Sequence, residues 1–181
     1  PVRDDLNEFY FPNDEFQFMP KGGYTEIFKN ILDLSKNNGV KRVFFSSSSE
    51  VYGEPVHLPQ NEETTPLNSR LPYAVVKNVG ESYFKSYQQA YGLDYTIFRF
   101  FNTYGPRMDL DDGRVVSNFI VQALRNENIT IYGDGSQSRS FCYVDDLIDG
   151  IFSIYRASKK IETPINLGNP NEFKMTKLAN I

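Results

Sequence analysis

The chain has 181 residues, of which 40% are hydrophobic and 15% are aromatic, and its formal net charge is −4. This composition indicates a globular core and excludes an intrinsically disordered chain. The small negative charge gives no attraction toward nucleic acid, and no apolar run approaches the ~20 residues that span a bilayer. We therefore expect neither a nucleic-acid partner nor a membrane partner.

The scarcity of histidine and cysteine limits the chemistry open to this chain. His57 and Cys142 are each the only residue of their type, which argues against a zinc site and against a Ser-His or Cys-His relay. We expect His57 in a surface loop and Cys142 in the core, and a lone thiol fits a cytoplasmic protein. Asp109, Asp111 and Asp112 lack an ordered ligand spacing, so we expect a solvated turn and no metal. Proton transfer would fall to Tyr, Lys, Ser, Glu and Asp.

Helical and strand patterns alternate along the chain. In order, they predict a helix over Thr25–Asn37, a strand over Val40–Ser46, a loop over residues 54–70, a helix over Leu71–Tyr91, a strand over Tyr95–Phe101, a helix over Val115–Arg125, a strand over Ile129–Tyr132, a helix over Val144–Ala157, a strand over Pro164–Leu167 and a helix that opens near Thr176. This alternation predicts an α/β fold with a mostly parallel sheet.

The segment SSSSEVYG, residues 46–53, places hydroxyl groups and a carboxylate at the end of a predicted buried strand. The carboxyl ends of parallel strands are where open α/β sheets bind their ligands. A polar turn is the plain alternative. Ser48 or Ser49 would reach the space in front of the next helix if both elements meet at this edge.

Tyr73 and Lys77 lie four residues apart on that next helix and therefore share a face. An ammonium beside a phenol favours the phenolate, which makes Tyr73 a candidate base for a substrate hydroxyl. The same spacing recurs at Tyr155 and Lys159, so the pair alone is weak evidence. The serine-ended strand that precedes Tyr73 distinguishes the first pair from the second.

The motifs SSSSEVYG, YAVVK and FRFFNTYGPR together resemble the extended short-chain dehydrogenases/reductases that act on nucleotide sugars. Further stretches, RMDLDDGRVVSNFI, ITIYGDGSQSRSF and INLGNP, are similar to UDP-glucuronate decarboxylases and dTDP-glucose 4,6-dehydratases. The resemblance covers residues 24–181. It implies a Rossmann-like doubly wound sheet, with a partial NAD-binding and catalytic core over residues 1–105. A partial nucleotide-sugar-binding region, interleaved with the last Rossmann elements, would occupy residues 106–181.

The resemblance also implies a role for each matching residue. NAD would take a hydride from C4 of the sugar while Tyr73 removes the 4-hydroxyl proton, Lys77 steadies Tyr73 and Ser48 holds the 4-oxygen. The implied catalytic residues are Ser48, Ser49, Glu50, Tyr73 and Lys77; the implied cofactor contacts are Ser46, Tyr73, Lys77 and Phe101; the implied substrate contacts are Asn102, Asn118, Tyr132 and Arg139. The partner would be a nucleotide-diphosphate sugar, and the protein would form a homodimer through its two long helices.

The residue at position 49 bears on the type of reaction. The dehydratases carry an aspartic acid where this chain has Ser49, and a serine has no pKa suited to protonating a leaving hydroxyl. Serine followed by Glu50 is similar to the decarboxylases, so UDP-glucuronate decarboxylation is the expected activity. The decarboxylases usually have Tyr-Asp-Glu-Gly-Lys where this chain has YAVVK. This departure leaves a 4-epimerase or a related carboxylate-sugar enzyme as the alternative, ahead of a 4,6-dehydratase, against which Ser49 argues.

A dinucleotide site needs a glycine-rich turn between the first strand and the first helix. This chain has no G-x-x-G-x-x-G, and Gly22-Gly23 does not follow a strand. We expect the missing turn in an earlier part of a longer protein. The alternative is a nucleotide-sugar-binding module without a competent NAD site.

Overall fold

The computed structural model describes residues 23–54, 56–157, 161 and 163–181. In chain order the elements are α1 (Gly23–Asn37), β1 (Arg42–Ser48), a 3-10 helix (Ser49–Tyr52), α2 (Pro72–Tyr91), β2 (Asp94–Phe100), β3 (Thr103–Tyr104), α3 (Val115–Leu124), β4 (Ser138–Ser140), β5 (Cys142–Tyr143), α4 (Val144–Arg156), β6 (Ile165–Leu167), β7 (Glu172–Lys174) and α5 (Met175–Leu178). All predicted helices are present with boundaries within two residues of the prediction. No helix in this part of the chain is long and apolar enough to cross a membrane.

The α/β class is confirmed. Strands β1, β2 and β6 form a three-stranded sheet in that order, and the sheet is parallel. Helix α2 forms the crossover between β1 and β2, as parallel neighbours require. Strand β1 runs two residues further than predicted, so Ser47 and Ser48 belong to the strand and not to the following turn.

The strand predicted over Ile129–Tyr132 is wrong, because the structure has no strand there. The side chain of Gln122 takes the place of a partner strand: its carbonyl oxygen accepts the Thr130 N–H at 3.0 Å, and its amide nitrogen donates to the Thr130 hydroxyl at 3.1 Å. The Tyr132 carbonyl accepts from the side chain of Gln137 at 2.8 Å. Backbone groups that a sheet would have paired are therefore satisfied locally.

The described residues divide into two compact units. The first contains residues 23–99 and Thr163–Ile165, and its core is built from Leu32, Phe45, Phe84, Leu93 and Ile97. The Phe45 and Phe84 rings stack with centroids 4.8 Å apart. Gly80 allows α2 to approach this layer, because a Cβ there would lie 2.6 Å from the Phe45 ring. The close approach sets α2 directly against β1.

The second unit contains residues 100–161 and Asn166–Ile181. Within it β3 and β5 pair in parallel, with Thr103 opposite Cys142, and β4 pairs with β7 antiparallel. Cys142 is buried, as expected. The Asp112 carboxylate accepts from the Arg114 N–H and the Ser117 hydroxyl, and so joins the preceding loop to the first turn of α3. Among the described residues, no cluster of acidic, histidine or cysteine side chains could hold a metal ion.

The loop predicted over residues 54–70 has no helix or strand in its described part, and His57 is exposed there. The loop returns to the 3-10 helix: the Asn68 and Ser69 N–H groups donate to the carbonyls of Tyr52 and Val51 at 3.3 and 3.4 Å. Gly53 makes this contact possible. Its φ is +64°, and a Cβ at this position would lie 2.8 Å from the Ser69 backbone nitrogen.

Two glycine substitutions test this contact against a matched control. Gly92 also has a positive φ, +70°, but a Cβ there would meet nothing within 4 Å. We expect Gly92→Ala to lower the free energy of unfolding by about 1 kcal/mol, the cost of a left-handed alanine. Gly53→Ala should lower it by about 1–3 kcal/mol more, because the methyl group meets backbone and because Gly53, with ψ at −146°, lies outside the left-handed well that Gly92 occupies with ψ at 14°. Urea unfolding measures both, and equal losses would contradict the close contact.

Candidate active site

The serine segment begins inside the sheet and ends in a turn. Ser47 and Ser48 are buried at the carboxyl end of β1, whereas the Ser46 side chain is exposed. The Ser48 hydroxyl accepts the Glu50 N–H at 3.2 Å and so caps the 3-10 helix. This bond uses an oxygen lone pair and not the hydroxyl proton. Ser48 can therefore still donate a hydrogen bond to a ligand oxygen.

Tyr73 and Lys77 lie on the first two turns of α2. The helix begins at Pro72, whose fixed φ suits the first helical position. The Lys77 ammonium donates to the Ser46 carbonyl at 2.8 Å, and its nitrogen lies 5.5 Å from the centre of the Tyr73 ring. Burial lowers the pKa of Lys77 from its ordinary value, because desolvation disfavours the ammonium. Three of the residues singled out from the sequence thus meet at the end of β1.

Tyr73 itself is half exposed, at 48% of its full accessible surface. An external ligand can therefore reach the ring from solvent. Ser49 is half-buried in the first position of the 3-10 helix, and Glu50 follows it with an exposed side chain. Both residues belong to the 3-10 helix that Ser48 caps, so the position of their side chains depends on what holds this helix in place.

A buried ion pair lies one helical turn beyond Lys77. The Glu81 carboxylate accepts the Ser47 hydroxyl at 2.6 Å, the Arg99 Nε at 3.0 Å and the Arg99 Nη2 at 2.7 Å. The two side chains are 9% and 4% exposed. A bidentate pair of this kind satisfies both carboxylate oxygens in an environment where an unpaired charge would be costly.

Tyr52 completes the network. Its side chain is fully buried, its hydroxyl accepts from the Arg99 Nη1 at 2.9 Å, and the guanidinium carbon lies 4.8 Å from the ring centre. Burial alone would lower the pKa of Arg99, but the hydrogen bonds to Glu81 and Tyr52 raise it. Arg99 is therefore a fixed positive charge behind the serine segment.

Sequence reasoning missed Glu81, Arg99 and Tyr52. Two signals were available: Arg99 interrupts the apolar strand DYTIFRF, and Glu81 follows Lys77 by four residues on the same face of α2. A charge in the middle of a buried strand needs a partner, and Glu81 is that partner.

The remaining predicted site residues lie in the second unit. The Asn102 side chain donates to the Ser140 carbonyl at 3.3 Å, which attaches it to the strand that carries Arg139. Arg139 is exposed, and one of its guanidinium nitrogens donates to the Ser138 carbonyl at 2.8 Å. A Cβ on Gly168 would lie 2.7 Å from the Cβ of Phe101, so backbone packs closely on this ring.

Asn118 and Tyr132 have less specific surroundings. The Asn118 side chain donates to the Gly113 carbonyl at 3.1 Å and so fastens the loop that precedes α3. The Tyr132 side chain is 63% exposed. The structure thus gives Asn118 a local structural bond and leaves the Tyr132 ring open to solvent.

The chain is similar in sequence to enzymes of one known family. Residues 24–168 match the NAD dependent epimerase/dehydratase family. The chain is 47% identical over 154 residues to UDP-glucuronic acid decarboxylase 3 of Arabidopsis thaliana, and 42% identical over 156 residues to UDP-glucuronic acid decarboxylase 1 of Xenopus tropicalis. These alignments cover 83% and 84% of this chain but 44% and 36% of the two relatives. The chain therefore spans less than half the length of these relatives.

Two solved structures share the fold. The UDP-N-acetylglucosamine 4-epimerase of Methanobrevibacter ruminantium M1 has a TM-score of 0.80 at 36% identity, over 87% of this chain and 51% of the other. The UDP-glucuronic acid 4-epimerase of Bacillus cereus, solved with UDP-glucuronic acid and NAD, has a TM-score of 0.76 at 29% identity, over 86% and 49%. The Rossmann-like class expected from the sequence is confirmed. The chain belongs to the NAD dependent epimerase/dehydratase family.

Proposed function

We propose that the complete protein is an enzyme that oxidises a nucleotide-diphosphate sugar at C4. The observation that carries this proposal is the bond from the Lys77 ammonium to the Ser46 carbonyl, which fixes the lysine beside Tyr73 at the end of β1. The described relatives support it, because each is named for chemistry on a nucleotide sugar. A non-catalytic binding module would not need a lysine fixed beside a tyrosine, because it has no proton to remove.

Tyr73 is the proposed base and Lys77 its partner. The positive charge of Lys77 favours the phenolate form of a neighbouring tyrosine, so Tyr73 can accept the proton of the sugar 4-hydroxyl. The Ser48 hydroxyl donates a hydrogen bond to the sugar 4-oxygen and so orients it. These three side chains provide removal of a proton, stabilisation of charge and alignment.

The site residues fit the nicotinamide end of NAD, which when bound supplies the acceptor for the C4 hydride. An ammonium has three N–H groups, and the Ser46 carbonyl takes one of those of Lys77. Lys77 can therefore also donate to a ribose hydroxyl. We assign Ser46, Tyr73, Lys77 and Phe101 to this end of the cofactor.

Asn102, Asn118, Tyr132 and Arg139 are the proposed contacts to the nucleotide diphosphate and the sugar. Arg139 supports this assignment best, because one guanidinium nitrogen anchors to Ser138 and the rest of the planar fork is exposed to solvent. A guanidinium held in this way suits bidentate contact with a phosphate or a carboxylate.

Within this class we propose decarboxylation of UDP-glucuronic acid. Oxidation at C4 makes the C6 carboxylate a β-keto acid; the C5–C6 bond breaks, CO₂ leaves, and the electron pair of that bond forms an enolate that is reprotonated at C5. Return of the hydride to C4 and of the proton to the 4-oxygen would then complete the reaction, so the net change is the loss of CO₂. The relatives named UDP-glucuronic acid decarboxylases support this reaction. Ser49 lacks an acidic proton for eliminating water, and we assign Glu50 to contact with the oxidised sugar. The alternative is a 4-epimerase. Two observations support it: the two solved structures are 4-epimerases, and the motif YAVVK departs from the usual decarboxylase sequence.

We further propose a homodimer built on the two long helices. Helix α1 exposes Ile31 and Leu34, at 47% and 63% of their full surfaces, which gives an apolar area that a second copy could cover. The cytoplasmic location expected from the sequence stays a prediction.

Mass spectrometry of the complete protein with NAD and UDP-glucuronic acid tests the proposed activity. We expect product lighter by the mass of CO₂, and loss of about 10²–10⁴-fold in turnover for Tyr73→Phe, because the phenol oxygen is the base. Tyr155→Phe is the matched control, since Tyr155 has the same spacing to a lysine and should leave turnover unchanged. A product of unchanged mass whose proton NMR couplings show inversion at C4 would favour the epimerase. A wild-type protein that transforms no nucleotide sugar would contradict the enzyme proposal.

The lowered pKa of Lys77 predicts a dependence of stability on pH. The folded state holds the Lys77 proton less tightly than the unfolded state, so the buried charge opposes folding at neutral pH. This penalty disappears as the pH rises through the lowered pKa toward the ordinary lysine value. The stability of the wild type relative to Lys77→Met should therefore increase between pH 7 and about pH 10.

Urea unfolding at several pH values measures this difference. The exposed Lys85→Met variant controls for general alkaline effects and should keep a constant difference from the wild type. A wild-type stability that falls relative to Lys77→Met as the pH rises would contradict the buried-charge interpretation.

A further inference from the structure

We propose that Arg99 is a positioning residue for the serine segment: through Glu81 and Tyr52 it holds the end of β1 and the 3-10 turn in place against α2. The proposal rests on the proposed function of this site, because it concerns how Ser48, Ser49 and Glu50 are presented to a ligand. Arg99 touches none of the reacting groups and acts through the residues that it binds.

Three elements meet on one guanidinium. Arg99 projects from β2, Glu81 from α2 and Tyr52 from the last position of the 3-10 helix. Nε and Nη2 bind the two Glu81 oxygens, and Nη1 binds the Tyr52 hydroxyl. A guanidinium presents its N–H groups in a rigid plane, so these bonds fix directions as well as distances.

Glu81 gives α2 a second attachment to β1. Lys77 donates to the carbonyl of Ser46, and one turn later Glu81 accepts the hydroxyl of Ser47, the next residue of the strand. These two bonds, to successive residues of β1, fix the position of α2 along its axis and its rotation about that axis. Arg99 holds the Glu81 carboxylate in the orientation that the Ser47 bond requires.

Tyr52 connects the 3-10 helix to the Arg99 guanidinium. The 3-10 helix has four residues, begins at Ser49 and ends at Tyr52, and Ser48 caps it. Anchoring the Tyr52 hydroxyl to Arg99 fixes one end of this short turn. The cap by Ser48 fixes the other end, so the residues between them have little freedom to shift.

Stability alone does not explain a buried ion pair at this place. Replacing such a pair by apolar side chains of similar volume is often neutral or stabilising, because neither charge then has to leave water. The neighbouring core is apolar and could accept apolar replacements: Phe84 lies three residues after Glu81 on α2, and Ile97 lies two residues before Arg99 on the same face of β2. What an apolar pair cannot supply is the set of directed bonds to Ser47 and Tyr52.

The test uses two variants of the complete protein that should remain folded. Tyr52→Phe removes only the hydroxyl that accepts from Arg99. The double variant Glu81→Met/Arg99→Met replaces the whole ion pair and avoids a single buried charge. Arg42→Met is the matched control: it removes another arginine bond between β1 and β2, to Asp94 at 2.7 Å, at the start of both strands.

The first readout is amide hydrogen exchange by NMR, which does not depend on activity. The Glu50 and Gly53 amides are bonded within the turn, to the Ser48 hydroxyl and the Glu50 carbonyl. We expect both to exchange at least about tenfold faster in Tyr52→Phe and in the double variant, because local opening becomes easier. The Gly92 amide, at the far end of α2, should keep its wild-type rate. Arg42→Met should leave the Glu50 and Gly53 rates unchanged.

The second readout is steady-state kinetics. We expect kcat to fall about tenfold or more in both variants with KM nearly unchanged, because misplacement of the serine segment affects the transition state more than binding. The double variant should unfold at a higher urea concentration than Arg99→Met alone, because the single variant leaves Glu81 as an unpaired buried charge. Recovery of stability without recovery of kcat is the result that a purely structural role does not give.

Wild-type exchange rates at Glu50 and Gly53 in both variants would overturn the proposal. If the wild-type protein turns over no nucleotide sugar, the proposed function fails. The exchange rates then still decide whether Arg99 positions the turn.

Discussion

The carboxylate of Glu81 is the group on which the arrangement of the site depends. It lies in the core between a strand and a helix, where an uncompensated charge would cost several kcal/mol. Arg99 neutralises it with two hydrogen bonds, and Ser47 supplies a third. Removing either charged partner alone would therefore destabilise the fold by about 3–5 kcal/mol. The same bonds set the distance between α2 and the end of β1, and with it the position of Lys77 relative to Ser46.

The division of roles along the chain follows from this constraint. The proposed acid-base residues all lie in the unit that contains the Arg99–Glu81 pair, on β1, the 3-10 helix and α2. Most of the proposed contacts to the nucleotide sugar lie in the other unit, on short strands and loops. In the proposed function, the chemistry that needs fixed geometry is thus assigned to regular elements joined through a buried network. Recognition is assigned to exposed side chains such as Arg139.

Much of the fold could be read from periodicity, because long elements repeat their apolar pattern several times. Helix α2 was predicted to within one residue, and Gly92 ends it in a left-handed conformation, as glycine favours. The strand predicted over Ile129–Tyr132 failed because its apolar side chains fit a strand but Gln122 satisfies its backbone. Strands β3 and β5 have two residues each, too few to show any alternation.

Only some residues of the candidate site could be identified from the sequence. The Tyr73–Lys77 spacing and the serine run could be recognised because local spacing and a family resemblance both reveal them. Tyr52, Glu81 and Arg99 are far apart in sequence, and their contact depends on how β2 lies beside β1. Without the fold, Arg99 is simply a charge in an apolar strand.

The most direct measurement of the central claim is the kinetic isotope effect on kcat/KM with a nucleotide sugar deuterated at C4. If Tyr73, Lys77 and Ser48 act together at the 4-hydroxyl, the C4–H bond breaks during turnover, and the deuterated sugar should react more slowly than its C5-deuterated counterpart. Tyr73→Phe should slow the reaction while an isotope effect at C4 persists. No isotope effect at C4 in either the wild type or the slowed Tyr73→Phe variant would show that breaking the C4–H bond does not contribute to turnover, and would contradict the account.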